Sequence, residues 1–132
     1  MKMITPDFKG NNKGHYSAAV ESKGMLYISG QLSIDPDTRK VPEGGIKEHA
    51  KLAFNNLKRV LEAAGLTTDD VIQCRLYVAG IENWDAVNEE YIQFFGEHKP
   101  ARIVVSVEQL HFGCLVEIEA VAECHEDNTQ SA

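Results

Sequence analysis

The sequence predicts an α+β fold: a mixed sheet of about five strands, ordered ββαβαββ, with two helices on one face. Three observations carry this. Between Ile46 and Ala64 the apolar residues Ile46, Ala50, Ala53, Leu57, Val60, Leu61 and Ala64 fall three and four apart, the spacing of an amphipathic helix. In 102–107 and 116–122 apolar residues fill every second place, the spacing of strands with one face on a core. Only two segments are helical in pattern, too few to cover both faces of such a sheet.

The elements follow in order. Residues 1–13 are polar and rich in Asn and Lys, and are expected to form an N-terminal arm. His15 to Glu21 and Met25 to Ser29 read as two strands joined by a tight turn at Ser22-Lys23-Gly24. Asp35-Pro36-Asp37-Thr38-Arg39 carries the residues of a loop. The first helix follows, and Gly65 is a natural stop. Asp70 to Val78 reads as a strand with Ile72, Cys74, Leu76 and Val78 on one face. Asn83 stands where an N-cap would open a second helix carrying Val87, Tyr91, Phe94 and Phe95, and Pro100 blocks its continuation. The last two strands begin near Arg102 and Val116. Residues 125–132 are acidic and polar, and a frayed tail is expected there.

The phase of the last two strands sets up the functional question. Ile103, Val105 and Val107 form one set, and Val116, Ile118, Ala120 and Ala122 another; both are wholly apolar and are expected to face the core. The opposite face would then hold Tyr77, Val104, Leu115 and Val121 beside Arg75, Arg102, Glu117 and Glu119. That mixture is too apolar for a solvated surface and too charged for a monomer core. Burial against further copies of the chain resolves the conflict. A guanidinium opening one strand, with carboxylates on a neighbour, suits a small carboxylate and a water beside it.

Composition excludes several classes. The 132 residues are one domain, 1–132, with 43% hydrophobic and 25% charged residues. No apolar run is long enough to span a membrane, and the N-terminus lacks the apolar core of a secretory signal. Three cysteines without a C-x-x-C pair fit a reducing cytoplasm. A net charge of -7 argues against a nucleic-acid partner. His111-x-x-Cys114 and Cys124-His125 lack a second pair at metal-site spacing, so no metal is expected.

Several blocks, in order, carry a resemblance. They are Gly14-His15-Tyr16-Ser17, Ile28-Ser29-Gly30-Gln31 with Asp35-Pro36, and Asn55-Asn56-Leu57 leading to Leu61-Glu62-Ala63-Ala64-Gly65. Val87-Asn88-Glu89-Glu90-Tyr91, Pro100-Ala101-Arg102 and Val116-Glu117-Ile118-Glu119-Ala120 complete the set. From about Gly14 to Ala122 the chain resembles the RidA (YjgF/YER057c/UK114) family of reactive-intermediate deaminases. The resemblance implies a chorismate-mutase-like fold, a homotrimer, and clefts between subunits. It implies hydrolysis of 2-enamines and 2-imines such as 2-aminoacrylate to 2-keto acids and ammonia, with no cofactor.

It also implies roles. Arg102 would hold the substrate carboxylate through a planar fork. Glu117 would activate water and pass a proton to the leaving amine. Tyr16, Asn88 and Val104 would shape the cleft, and the backbone at Gly30 would approach the reacting centre. The chain departs from the family pattern at His15 for Pro, Ala18 for Gln, Val104 for Cys, and His111 for the Pro after Leu110. Two other classes stay open: a non-catalytic binder of small carboxylates that regulates metabolism, and an endoribonuclease or translation inhibitor, against which the acidic balance counts.

Overall fold

The computed structural model describes residues 1–8 and 14–125. Six strands form one mixed sheet: β1 (Lys2–Ile4), β2 (Ala19–Ser22), β3 (Met25–Leu32), β4 (Val71–Ala79), β5 (Ala101–Val107) and β6 (Val116–Glu123). The helices are α1 (Ile46–Ala63) and α2 (Trp84–Phe95). The strand order is β1-β2-β3-β6-β4-β5, with β4 and β5 parallel and every other pair antiparallel. The core lies between one sheet face and the two helices. Leu57, Val60 and Leu61 of α1 and Val87, Tyr91 and Phe95 of α2 meet Leu26, Leu76 and Ile118 there. Each such large side chain contributes about 1.5–3 kcal/mol by leaving water.

Helix α1 is bounded as its sequence implies. Glu48 Oε2 reaches back to accept from the Gly45 N–H at 3.0 Å, satisfying one of the free donors at the N-terminus. At the other end Gly65 has φ +75°. Its N–H donates to Glu62 O at 3.0 Å, and the Leu66 N–H donates to Leu61 O at 2.9 Å. That pair of bonds is a Schellman cap, and Leu66 is buried behind it.

Four expectations need correction. Lys2–Ile4, assigned to the arm, pairs with β2 as an edge strand, which raises the count from five to six. Ile72 is exposed although it was placed on the core face. The β4–β6 register shifts between Val71 and Gln73, and that irregularity turns Val71 inward instead. Asn83 stands at the N-cap position of α2, but its side chain makes no cap bond; its Nδ2 donates to Ala79 O at 2.8 Å instead. Helix α2 ends at Gly96, φ +64°, before Pro100 can act.

The phase of β5 is inverted as well. Arg102, Val104 and Ser106 pair with Cys74, Leu76 and Val78, the buried set of β4. They therefore lie on the helix side of the sheet. Ile103, Val105 and Val107 pair with Arg75, Tyr77 and Ala79 on the open side, where Ile103 is 51% exposed. Leu115 also packs against the core rather than on the open face. Tyr77, Arg75, Glu117, Glu119 and Val121 occupy the open side as expected. The expected frayed tail lies outside the described residues except at its first position. There His125 Nε2 sits 2.7 Å from Asp70 Oδ1.

Candidate active site

Helix α2 and strand β5 build a cation site around Arg102. Trp84, Asn88 and Tyr91 recur at helical spacing and share one face of α2. The Arg102 Nη1 donates to Asn88 Oδ1 at 2.7 Å. Its guanidinium carbon lies 4.8 Å from the Tyr91 ring centre and 5.4 Å from that of Trp84. Such contacts hold a guanidinium in place without consuming its charge. No carboxylate pairs with Arg102 among the described residues, so the rest of its fork remains available to an anion. Spacing on α2 carried the Trp84 and Tyr91 signal, which sequence reading left unused.

Strands β3 and β6 build the carboxylate. Between Ile28 and Gln31 their register slips by a bulge, which puts Gly30 against Glu117. A Cβ on Gly30 would collide with the Glu117 carboxylate, so only glycine admits the carboxyl group there. Half-buried, Glu117 has its pKa raised, first by burial and then by the charge of Glu119, with His111 acting in the opposite sense. Glu119 is otherwise engaged. It accepts from Tyr77 Oη at 2.5 Å and lies 3.9 Å from Arg75 Nη1.

Tyr16 is 56% exposed. The segment beside it is tied to β3, because Ser29 Oγ donates to Ser17 O at 2.6 Å and the Ser29 N–H donates to Ala18 O at 2.9 Å. Tyr16 and Gly30 line one small pocket of about 70 Å³ together with Asn56 of α1. Val104 is partly buried against the core, on the same side of β5 as Arg102.

A buried polar cluster supports the start of β6. Ser33 Oγ lies 2.6 Å from His49 Nδ1, and the Leu115 N–H donates to the same nitrogen at 3.2 Å. Nδ1 is therefore an acceptor and the neutral ring carries its proton on Nε2. Burial lowers the His49 pKa, although Glu48 opposes that shift. Burial pushes the thiols of Cys74 and Cys124 up to about 12 and about 11, and raises that of Cys114 despite hydrogen bonds with Ser33. Among the described residues no group of three His, Cys, Asp or Glu is arranged to hold a metal ion. None of their helices is long and apolar enough to cross a membrane.

The structure thus brings Arg102 to Asn88 and Glu117 to Gly30, but it does not bring the two halves together. Arg102 lies in one row of the sheet with Cys74 and Ala120; Glu117 is three residues further along β6, on the opposite face. The two strands are separated by β4. Strand geometry makes this about 10 Å across the sheet and about 10 Å along it. The expectation that both side chains share a face is wrong within one chain.

A layer of two helices on one sheet here carries an arginine fork free of carboxylates among the described residues and a glycine-backed, half-buried carboxyl, groups with the chemistry to hold a small anion and to move a proton. Comparison with known proteins narrows this. Residues 10–124 match the family model described as Endoribonuclease L-PSP. The chain belongs to that family, the YjgF/RidA family. It is 41% identical over 109 residues to a RutC family protein of Pyrococcus horikoshii, covering 83% of this chain and 86% of that one. It is 40% identical over 109 residues to human 2-iminobutanoate/2-iminopropanoate deaminase, covering 83% and 80%. The crystal structure of RidA from the Antarctic bacterium Psychrobacter sp. PAMC 21119 superposes with a TM-score of 0.86 at 35% identity, over 93% of this chain and 99% of that one.

Proposed function

We propose that the chain is a cytoplasmic, cofactor-independent hydrolase that converts 2-enamine and 2-imine acids, such as 2-aminoacrylate, to 2-keto acids and ammonia. The unspent guanidinium of Arg102 carries the reading, because a rigid cation with a free planar fork is a receptor for a small carboxylate. The likeness to the human deaminase supports the reaction class.

The working site is completed between copies. Arg102 and Asn88 of one copy face Tyr16, Gly30 and Glu117 of the next, in a homotrimer closed through the open sheet face. The exposed apolar residues there, Tyr27 and Ile103, support this, since symmetric closure is the usual way to bury such a face.

In the reaction, the enamine first takes a proton from solvent at C3 and becomes the protonated imine, an iminium. Water then attacks C2 while Glu117 accepts its proton, giving a carbinolamine. Glu117 returns that proton to nitrogen, the C–N bond breaks, and the remaining hydroxyl closes to the ketone with loss of its proton. A carboxyl whose pKa is raised by burial suits a group that must both take and give a proton.

Ammonia release from freshly generated 2-aminoacrylate tests this directly. The wild type should accelerate it, Arg102→Ala should lose both turnover and 2-ketobutyrate binding, and Glu117→Gln should keep most binding but lose turnover. Binding of 2-keto acids without any acceleration would favour a sensor of small carboxylates instead. RNA cleavage that disappears in Arg102→Ala would favour a nuclease, against which the net charge of -7 stands.

A further inference from the structure

We propose that Trp84 is a positioning residue for the carboxylate receptor: its indole holds the Arg102 guanidinium against α2, so that the open part of the fork is aimed before a ligand arrives. This rests on Arg102 as the receptor for the substrate carboxylate, and it concerns binding rather than the chemical step.

Arg102 is exposed, on a strand at the edge of the sheet. A long side chain in that position samples many rotamers, and freezing it on a ligand weakens affinity. Three residues of α2 restrict it. Trp84, Asn88 and Tyr91 stand four and three places apart, which puts them on one helix face. Asn88 Oδ1 accepts from Nη1 at 2.7 Å. By itself that bond leaves the guanidinium free to pivot. The ring centres of Tyr91 and Trp84, 4.8 Å and 5.4 Å from the guanidinium carbon, belong to the turns on either side of Asn88 and remove that freedom.

The two rings differ in what else holds them. Tyr91 is 7% exposed, and its ring centre lies 5.9 Å from that of Phe54 and 4.7 Å from that of Phe95. The core keeps it in place with or without Arg102. Trp84 is the first residue of α2, half-buried and outside the hydrophobic core. Among the described residues its indole pairs with no other ring, and its partner is the Arg102 cation. Core packing therefore does not account for the indole, and the cation does. Indole is also the aromatic face that attracts a cation best. Loosening the guanidinium lowers the fraction of molecules whose fork is ready, and the apparent dissociation constant rises by the inverse of that fraction. The reacting carbon is untouched, so KM rises with it while kcat stays.

The test compares the wild type with Trp84→Phe, Trp84→Leu and Trp84→Met. Calorimetric titration with 2-ketobutyrate gives Kd, and steady-state assays with 2-iminobutanoate give KM and kcat. Trp84→Leu should weaken 2-ketobutyrate binding about three- to tenfold, the effect of losing one cation–π contact. KM should rise by the same factor, with kcat near that of the wild type. Trp84→Met, a second non-aromatic variant built on a good helix former, should match Trp84→Leu and stands in for it if that protein does not fold. Trp84→Phe, which keeps an aromatic face, should recover most of the affinity. Circular dichroism checks that each variant is folded. Wild-type affinity in the non-aromatic variants would overturn the proposal. So would a Trp84→Phe protein that binds as weakly as they do, or a loss that falls on kcat with KM unchanged. A wild type that binds 2-ketobutyrate but hydrolyses no imine would end the hydrolase reading alone, because the Kd series decides the role of Trp84 without turnover. A wild type that neither binds nor hydrolyses would remove both.

Discussion

Arg102 and Glu117 lie on opposite faces of one sheet, with β4 between their strands. A substrate of three or four carbons cannot touch both within a single chain. This turns the proposed reaction into a statement about assembly.

Complementation is the sharpest test of that statement. Arg102→Ala and Glu117→Gln should each be nearly inactive alone. Co-refolded mixtures should regain a measurable fraction of wild-type activity, because some sites then combine an intact arginine from one copy with an intact glutamate from another. No recovery in mixed oligomers shown to have exchanged subunits would place both residues in one chain's site or outside the chemistry.

Gly30→Ala should act on rate rather than on folding. The added Cβ meets the far end of the Glu117 side chain, which relieves the clash by swinging away. Loss of a positioned acid–base group lowers turnover by about a hundredfold or more. Thermal unfolding should shift little, and steady-state assays with 2-iminobutanoate would show the loss in kcat.

The acid limb of the pH–rate profile should report Glu117. Its pKa is raised by burial and by the Glu119 charge, so the active carboxylate is lost at a higher pH than for an ordinary glutamate. Glu119→Gln keeps a hydrogen-bonding side chain near Tyr77 but removes one of the raising charges. Its acid limb should therefore move to lower pH. An unmoved limb would assign that titration to another group.

His49 should set acid stability. Its pKa is lowered from 6.5 in the fold, so the unfolded chain binds the extra proton more readily. Stability is then full above about 6.5 and falls as pH drops through that value toward the folded pKa. Protonation also removes the acceptor for Leu115 N–H and Ser33 Oγ. His49→Asn offers a non-titrating acceptor. Denaturant titrations between pH 7 and pH 5, a window of about two units around the imidazole value, should show a shallower loss for that variant.

Much of the fold was legible because local chemistry agreed with tertiary need. The α1 stripe and Gly65 gave the helix and its stop, and Ser22-Lys23-Gly24 gave the first hairpin. The phase of β5 was not legible. Both its residue sets carry valines, and only the parallel register with β4 decides that Val104 rather than Ile103 turns toward the helices. Strand β1 was hidden because three residues carry no usable period; pairing with Ala19–Ser22 defines it. At the site, residue types pointed to Arg102 and Glu117, but their relative placement depends on strand order, which no local pattern encodes.

The buried thiols have a practical consequence. Burial pushes the Cys74 and Cys124 thiols up to about 12 and about 11 and raises that of Cys114 as well, which favours the less reactive thiol form of all three at neutral pH. A maleimide dye would therefore find an almost silent background. A single cysteine introduced on the exposed face of α1, at Glu62 for example, away from the open sheet face, would be the one site to label. Energy transfer between copies carrying donor and acceptor dyes would then read assembly directly, in dilute solution and without separating species by size.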